Sequence, residues 1–303
     1  MSDIKLFQTA NNKVEELQGR SATIEKSLQT QIERHMEEFL GVRFLATEYS
    51  TGKAHGGRID SLGLDENGCP VIIEYKRTQN ENVINQGLFY LDWLMEHKAD
   101  FKLLVLDKFG KETADAIEFS SPRLLCIAGD FTKYDEHAVK QINRNIELIR
   151  YRLFGDDLLL LELVNANSVT EVISEEASPS KDRRSEKTVT DYLEQAPQPL
   201  KDLYSDLSVY LISLGDDVQV KTLKLYVAYK RIKNFACVEV HPQTGKLLVY
   251  AKVDPDTIEL ENGFTRDMRN IGHFGTGDLE IIITSPTDLE KAKPLLTQSY
   301  EAS

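Results

Sequence analysis

The residues Asp65-Glu66-Asn67-Gly68 separate two apolar segments and predict a tight turn. Asn-Gly adopts positive φ readily, which is the backbone conformation that a short hairpin loop needs. Residues 58–64 and 71–76 are therefore predicted to form two antiparallel strands. The second strand begins with Val71-Ile72-Ile73, a continuous apolar run that is typical of a strand buried on both faces.

Charged residues accompany both predicted strands. Asp60 belongs to the first, and Glu74 and Lys76 end the second. Strand alternation puts Glu74 and Lys76 on one face and Tyr75 on the other. Carboxylates are ligands that Mg²⁺ prefers, and a neighbouring lysine suits a phosphate. The first hypothesis is therefore hydrolysis of a phosphodiester bond at a metal site.

The rest of the N-terminal half alternates between helical and strand-like patterns. Apolar spacing from Ile24 to Leu40 predicts a helix that Gly41 ends. The further predicted helices are 83–97, 111–116 and 136–153, and the further predicted strands are 43–49, 102–106, 124–128 and 157–164. A helix between two apolar strands implies a crossover, so we expect an α/β unit with a mixed sheet flanked by helices.

The composition changes in residues 166–190, where Ser, Glu, Lys and Pro dominate. This segment is predicted to be a polar linker between an N-terminal domain, 1–165, and a C-terminal domain, 191–303. The C-terminal domain is expected to be smaller, α+β and mainly antiparallel. Its predicted helices are 200–214 and 287–300, and its predicted strands are 218–222, 226–229, 235–241, 246–253 and 278–284.

Bulk properties limit the function classes. The formal net charge of −13 argues against a protein coated with basic surface, although it leaves room for a local basic groove. Cys69, Cys126 and Cys237 lie far apart, so neither a zinc site nor a disulfide framework is expected, and free thiols fit the cytoplasm. No apolar run approaches the roughly 20 residues of a membrane span, so no membrane partner is expected.

A second polar signal follows the hairpin. Gln86 and Tyr90 are four residues apart on a predicted helix, so they share one face and can reach over the site. Arg77, Asn80 and Asn82 precede this helix, and the free N–H groups at a helix N-terminus also favour anions. Each feature has a plainer interpretation, since Glu-x-Lys is often a surface ion pair and a Gln/Tyr pair can simply pack a helix on a sheet.

Taken together and in this order, residues 24–101 resemble the PD-(D/E)XK nuclease superfamily, which has the restriction-endonuclease-like fold. The resemblance is carried by Gly57-Arg58-Ile59-Asp60, Glu74-Tyr75-Lys76 and the pair Gln86 and Tyr90. These motifs are similar to the branch of NucS-type and RecB-like nucleases, whose members are Mg²⁺-dependent DNA phosphodiesterases. One departure is Ile59, which stands where the family name implies proline.

The resemblance implies a role for each matched residue. Metal ligands would be Asp60, Glu74 and the carbonyl of Tyr75, and the metal would be Mg²⁺ or Mn²⁺. The catalytic residues would be Glu25 on the first helix, Asp60, Glu74, Lys76 and Gln86, with Glu33 as the alternative helix acid. Substrate contacts would come from Arg58, Arg77 and Tyr90. The resemblance implies that the partner is DNA, in repair or in defence, and it allows the protein to be a homodimer.

The C-terminal domain resembles an uncharacterised domain family often fused to such nuclease-like domains. Two of its segments are candidates for binding. In the first segment, cationic side chains alternate with aromatic ones. This pattern suits either a nucleic-acid surface or an ordinary strand with its aromatic residues in the core. The residues are Lys221, Lys224, Tyr226, Tyr229, Lys230, Arg231, Lys233 and Phe235. The second is the glycine-rich stretch 262–277, with Arg266, Arg269 and His273, which suits an anion-binding loop or a long surface loop.

Two other function classes stay open from the sequence. A non-catalytic nucleic-acid-binding or regulatory protein that retains the nuclease fold would bind DNA without cutting it. A protein-interaction scaffold, suggested by the acidic balance, would have a protein partner and no affinity for nucleic acid. The two acids and the lysine favour the nuclease, because a binding module has no need of metal ligands.

Overall fold

The chain divides into two compact units, Met1–Asn167 and Ser168–Ser303, in a computed structural model that describes residues 4–10, 12–22, 25–76, 83–167 and 187–303. Most of the predicted linker, residues 168–186, therefore lies outside the described residues. Each unit has its own hydrophobic core.

The N-terminal unit contains both strands and helices along its whole length. Its strands are β1 (Leu6–Ala10), β2 (Lys13–Leu17), β3 (Gly19–Arg20), β4 (Val42–Ser50), β5 (Arg58–Asp65), β6 (Pro70–Lys76), β7 (Arg123–Ala128), β8 (Asn145–Phe154) and β9 (Leu158–Asn167). Its helices are α1 (Glu25–Arg34), α2 (Met36–Leu40), α3 (Gly52–His55), α4 (Val83–Glu96), α5 (Lys98–Phe109), α6 (Lys111–Asp115) and α7 (Lys133–Gln141).

The main sheet of this unit is mixed. Within the described residues its order is β3-β8-β7-β6-β5-β4, and β9 also pairs with β8. The pairs β6–β7 and β7–β8 are parallel, whereas β4, β5 and β6 form an antiparallel meander. Helices connect the parallel strands, with α4 to α6 between β6 and β7 and α7 between β7 and β8. The predicted α/β fold with a mixed sheet flanked by helices is confirmed.

The predicted hairpin is present between β5 and β6. The Asp65 carboxylate accepts hydrogen bonds from the N–H groups of Asn67, at 2.9 Å, and Cys69, at 2.8 Å, and Gly68 has φ 74°. Asp65 therefore closes the turn with its own side chain, and glycine supplies the left-handed position. The pairing runs in register from Ser61 opposite Ile73.

The prediction of a strand over 102–106 is wrong, because these residues lie in the middle of α5. Phe101 and Val105, four residues apart, are fully buried, while Leu103 is 61% exposed. That spacing is the 3.6-residue period of a helix. Two exposed leucines, Leu103 and Leu106, made the segment look like a buried strand.

The prediction of a helix over 136–153 is also wrong beyond its first residues. Helix α7 ends at Gln141, and β8 begins at Asn145. The six residues from Ile146 to Tyr151 are all buried, because β8 is an inner strand that pairs with β7 and β3 on one side and with β9 on the other. The predicted helix 24–40 is likewise two helices, α1 and α2, separated at His35, and Gly41 ends the second at φ 62°.

The C-terminal unit is an antiparallel sheet covered by helices on one face. Its helices are α8 (Val189–Gln195), α9 (Gln198–Ser213) and α10 (Pro286–Glu301), and its strands are β10 (Gln219–Thr222), β11 (Val227–Lys230), β12 (Asn234–His241), β13 (Lys246–Ala251), β14 (Thr265–Asp267) and β15 (Leu279–Ile283). The strand order is β10-β11-β12-β13-β15-β14, with antiparallel pairs throughout. The predicted mainly antiparallel α+β unit is confirmed.

The aromatic residues interleaved with lysines belong to the core of this unit. Tyr229 and Phe235 are fully buried and Tyr226 is 7% exposed. Their rings are therefore not available to stack on bases, and the ordinary strand interpretation is the correct one for them. In the part of the chain described here, no helix is long and apolar enough to cross a membrane.

Candidate functional site

Asp60 and Glu74 are brought together across the β5–β6 hairpin. The N–H of Asp60 donates to Glu74 Oε1 at 3.2 Å, and the N–H of Tyr75 donates to Asp60 Oδ2 at 3.0 Å. Each carboxyl group is thus held by the backbone of the neighbouring strand. The hairpin fixes two acids side by side at one edge of the site, as the sequence predicts.

Burial raises the free energy needed to ionise this pair of carboxyl groups. Glu74 is fully buried, and burial together with the nearby Asp60 carboxyl raises the pKa of Glu74 to about 9. Burial also raises the pKa of Asp60, against the effect of the hydrogen bond from Tyr75 and the charge of Lys76. Two like charges this close cannot both ionise cheaply in a dry environment. The pair therefore needs a cation to become fully charged.

One oxygen of Glu74 fits this need directly. Oε2 is buried and receives no hydrogen bond from a donor group of the described residues, although the Glu74 carboxyl lies close enough to that of Asp60 to share a proton with it. Buried polar atoms are normally satisfied, so an unpaired carboxylate oxygen is one that a bound cation could satisfy. Two carboxylates and a backbone carbonyl suit a hard divalent cation that keeps several waters. Among the described residues, no group of three or more His, Cys, Asp or Glu side chains is placed to hold a metal ion.

Lys76 lies at the end of β6, with its Nζ 3.7 Å from Glu25 Oε1 on α1. The Lys76 side chain is 14% exposed, so it is held near the carboxyl pair and not spread into solvent. Glu25 therefore belongs to the cluster of Asp60, Glu74 and Lys76. The alternative acid, Glu33, instead accepts a hydrogen bond from Ser61 Oγ at 2.6 Å.

Strand alternation explains where Glu33 lies. Ser61 and Tyr75 follow Asp60 and Glu74 by one residue, and Ser61 Oγ contacts Tyr75 Oη at 3.3 Å on the opposite face. Gln29 on α1 also reaches this region, since its amide donates to Glu33 at 2.9 Å and to the carbonyl of Asp60 at 2.8 Å. Glu33 and Gln29 thus support the strand that carries Asp60.

An open cleft of about 690 Å³ adjoins the carboxyl pair. It brings together three of the predicted site residues with Asp60. The lining residues are Glu48, Ser50, Gly52, Gly56, Gly57, Arg58, Asp60, Gln86 and Tyr90. Its polar walls and its size suit an extended polar substrate.

Tyr90 connects the helix α4 to the strand β5. Its hydroxyl accepts a hydrogen bond from the N–H of Arg58 at 3.1 Å and another from the Gln86 amide at 3.3 Å. A Cβ atom at Gly57 would lie 2.5 Å from Tyr90 Cε1, so only glycine fits beside this ring. Gln86 and Tyr90 therefore both line the cleft and fix the start of β5.

Glu48 is a cleft residue that the sequence reasoning missed. It binds Lys26 at 2.7 Å and Arg58 at 3.4 Å, and the hydrogen bond from Lys26 lowers its pKa. Its φ of 47° is left-handed, a costly conformation for a glutamate, and such strain is often found at functional sites. The nearest sequence signal is the predicted strand 43–49, which pairs with the strand of Asp60.

Arg77, predicted to contact substrate, lies outside the described residues, as do Asn80 and Asn82. The structure thus brings Glu25, Asp60, Glu74 and Lys76 into one cluster and places Arg58, Gln86 and Tyr90 along the adjoining cleft. The catalytic, substrate-binding and metal-binding roles of these residues stay predictions.

One family model and one relative match this chain. Residues 189–303 match the family model of a domain of unknown function, DUF5655. An uncharacterized protein of Haemophilus influenzae is 27% identical over 309 residues, spanning 98% of this chain and 100% of that protein. The C-terminal prediction of an uncharacterised domain family agrees with the first of these matches.

Two solved structures are similar to part of the chain. A repair endonuclease from Pyrococcus abyssi is 17% identical, with a TM-score of 0.29, and the match covers 43% of this chain and 47% of that one. A complex of EndoMS with double-stranded DNA is 19% identical, with a TM-score of 0.25, covering 45% and 47%. This chain thus spans about half the length of each.

Proposed function

We propose that the protein is a metal-dependent nuclease that hydrolyses phosphodiester bonds of DNA at the cleft beside Asp60 and Glu74. The observation that carries this proposal is the unpaired, buried oxygen of Glu74 next to a second carboxylate. A divalent cation would satisfy that oxygen and allow both acids to ionise.

The cation would be Mg²⁺ or Mn²⁺, held by Asp60, Glu74 and the carbonyl of Tyr75. When bound, such an ion supplies Lewis-acid stabilisation of phosphate charge and lowers the pKa of a bound water. The chain's own contribution is to position the reactants. Lys76, restrained by Glu25, presents a cation beside the carboxyl pair, where it would contact the scissile phosphate or the attacking water.

The adjoining cleft would hold the DNA backbone. Arg58 is an exposed cation at its rim, and Gln86 and Tyr90 provide hydrogen-bonding groups along its wall. Contacts of this kind fix the register of a backbone without reading its sequence. Cleavage assays on a panel of DNA substrates are therefore needed to identify the preferred substrate structure and the biological setting, repair or defence.

The direct test is cleavage of supercoiled plasmid, branched DNA and single-stranded DNA in Mg²⁺ or Mn²⁺. We expect cleavage by the natural chain, none with EDTA, and losses on the order of 100-fold or more for Asp60→Asn and Lys76→Met. Asp107→Asn, an exposed carboxylate on α5, is the matched control and should cut normally. Cleavage that survives Asp60→Asn and Lys76→Met unchanged would reject the proposal.

Among the described residues, no third carboxylate is aligned for a metal ion. This observation favours one alternative to the nuclease function. A non-catalytic nucleic-acid-binding or regulatory protein would keep the fold and the cleft but not the chemistry. It would bind DNA with a steep salt dependence and leave every substrate of the panel uncut.

A further inference from the structure

An exposed aromatic side chain continues the wall of the cleft beside Asp60. Phe89 on α4 is 46% exposed. It lies three residues after Gln86, which lines the cleft, so the two side chains share one face of the helix. Its ring centroid is 5.8 Å from that of Tyr90, another cleft residue, and the two rings are tilted by 56°. Phe89 therefore extends the polar wall of the cleft with an apolar ring that is open to solvent.

The ring of His55 packs beside Phe89. The two centroids are 5.2 Å apart and the rings are tilted by 48°. His55 ends the short helix α3, directly before Gly56, which lines the cleft. The His55 side chain is 19% exposed, so most of its surface is covered while the Phe89 ring stays accessible. We call these two rings the aromatic platform, and it is built from two elements that border the cleft.

Buried neighbours hold the aromatic platform in place. His55 contacts the ring of His97 edge-on at 5.7 Å, and His97 stacks on Trp93 at 4.8 Å with an interplanar angle of 13°. The His97 Nδ1–H donates to the Trp93 carbonyl at 2.8 Å, and Trp93 is 3% exposed and belongs to the core. Rings that are already fixed by their neighbours lose little conformational freedom when a ligand stacks on them, which favours binding.

The charges beside the aromatic platform favour an uncharged ligand there. Asp92 and Glu96 are exposed carboxylates that follow Phe89 on α4, and Glu96 Oε2 lies 3.8 Å from His55 Nε2. These carboxylates would repel a phosphate. A nucleic-acid base is flat and uncharged, and stacking on an aromatic ring is open to all four bases, because each has a π-face. The platform therefore suits a base, and the phosphates of the same strand would stay in the cleft.

We propose that the aromatic platform of His55 and Phe89 stacks on an unpaired base, so that the cleft takes DNA with single-stranded or forked segments. In a duplex, each base is covered by its neighbours on both faces, and a protein ring can reach a base face only when the base leaves the stack. This inference rests on the proposed function, because it names the class of DNA that the cleft would receive. No residue of the carboxyl cluster contributes to the stacking contact.

Fluorescence anisotropy with the full chain in EDTA measures binding without cleavage. The probes are a labelled single strand, a forked duplex and a blunt duplex of related sequence. We expect the single strand and the fork to bind about tenfold more tightly than the blunt duplex. Phe89→Ala should weaken binding of the single strand about tenfold, the size expected for one lost stacked base, and should leave binding of the blunt duplex unchanged.

Two other substitutions of Phe89 separate stacking from simple apolar contact. Phe89→Leu keeps an apolar side chain without a ring and should bind the single strand as weakly as Phe89→Ala does. Phe89→Trp keeps a stacking face and should bind it as the natural chain does. The matched control is Phe274→Ala, which removes a phenylalanine of similar exposure, 53%, from the C-terminal unit and should change nothing.

The proposal is overturned if the natural chain binds the blunt duplex as tightly as the single strand, or if Phe89→Ala binds the single strand like the natural chain. An equal loss for the duplex, or the same loss in Phe274→Ala, would also overturn it. The nuclease function is tested separately, by cleavage in Mg²⁺ with the Asp60→Asn variant. Cleavage that is indifferent to Phe89 and to unpaired bases counts against the aromatic platform alone, and the expected binding without any cleavage counts against the nuclease function alone.

Discussion

The substitution Glu74→Gln should stabilise the metal-free protein at neutral and higher pH. In the folded chain the pKa of Glu74 is raised to about 9 by burial and by Asp60, while an unfolded glutamate titrates near 4.5. Between these values the folded state holds a proton that the unfolded state releases. Stability from this group therefore falls as the pH rises from about 4.5 to about 9.

The size of the effect follows from the pKa difference. Each pH unit in this window costs about 1.4 kcal/mol, so about 4 kcal/mol is lost between pH 5 and pH 8. A glutamine at position 74 has no proton to lose, and its amide N–H can donate to Asp60 as a protonated Glu74 would. The variant should match the natural chain near pH 5 and exceed it by several kcal/mol at pH 8.

Urea unfolding followed by tryptophan fluorescence measures this difference. Trp93 is the one tryptophan of the chain and is 3% exposed in the N-terminal unit, so its signal reports on that unit. Glu15→Gln, an exposed glutamate on β2, is the matched control and should keep the natural pH profile. All titrations are made in EDTA. Natural and Glu74→Gln profiles that run parallel from pH 5 to pH 8 would show that ionisation of Glu74 does not destabilise the folded chain.

Two further substitutions test the scaffold of the site. Gly57→Ala forces a Cβ to within 2.5 Å of the Tyr90 ring, so we expect a loss of about 1–3 kcal/mol in urea unfolding and a reduced rate of DNA cleavage. Arg123→Met leaves the Asp65 and Glu147 carboxylates, which Arg123 contacts at 3.0 and 2.7 Å, without their buried counter-charge. That change should cost about 3–5 kcal/mol in the same measurement, and a loss below 1 kcal/mol would contradict a buried ion-pair role.

Local signals predicted the hairpin that places the candidate site. Asn67-Gly68 specified the turn, the apolar run 71–73 specified a buried strand, and the two-residue period fixed which side chains share a face. Asp60 and Glu74 could therefore be paired from the sequence alone. Gln86 and Tyr90 followed from the helical spacing of four residues.

Features that depend on tertiary contacts could not be predicted in this way. The segment that forms helix α5 was predicted to be a strand, and the segment that forms strand β8 was predicted to be a helix. A short apolar segment fits either period as long as its neighbours in the fold are unknown. Glu48 was missed because nothing local distinguishes it from other strand glutamates. Its position in the cleft follows from the pairing of β4 with β5, and its left-handed φ has no signal in the local sequence.

The proposed function requires that Asp60 and Glu74 hold one divalent cation. The most direct measurement is a crystal structure of the natural chain soaked in Mn²⁺, with the ion located by its anomalous signal. We expect one Mn²⁺ bound by oxygens of both Asp60 and Glu74, including Oε2, and no ion there in Asp60→Asn crystals. A structure in which Mn²⁺ binds elsewhere, while Glu74 Oε2 stays without a ligand, would contradict it.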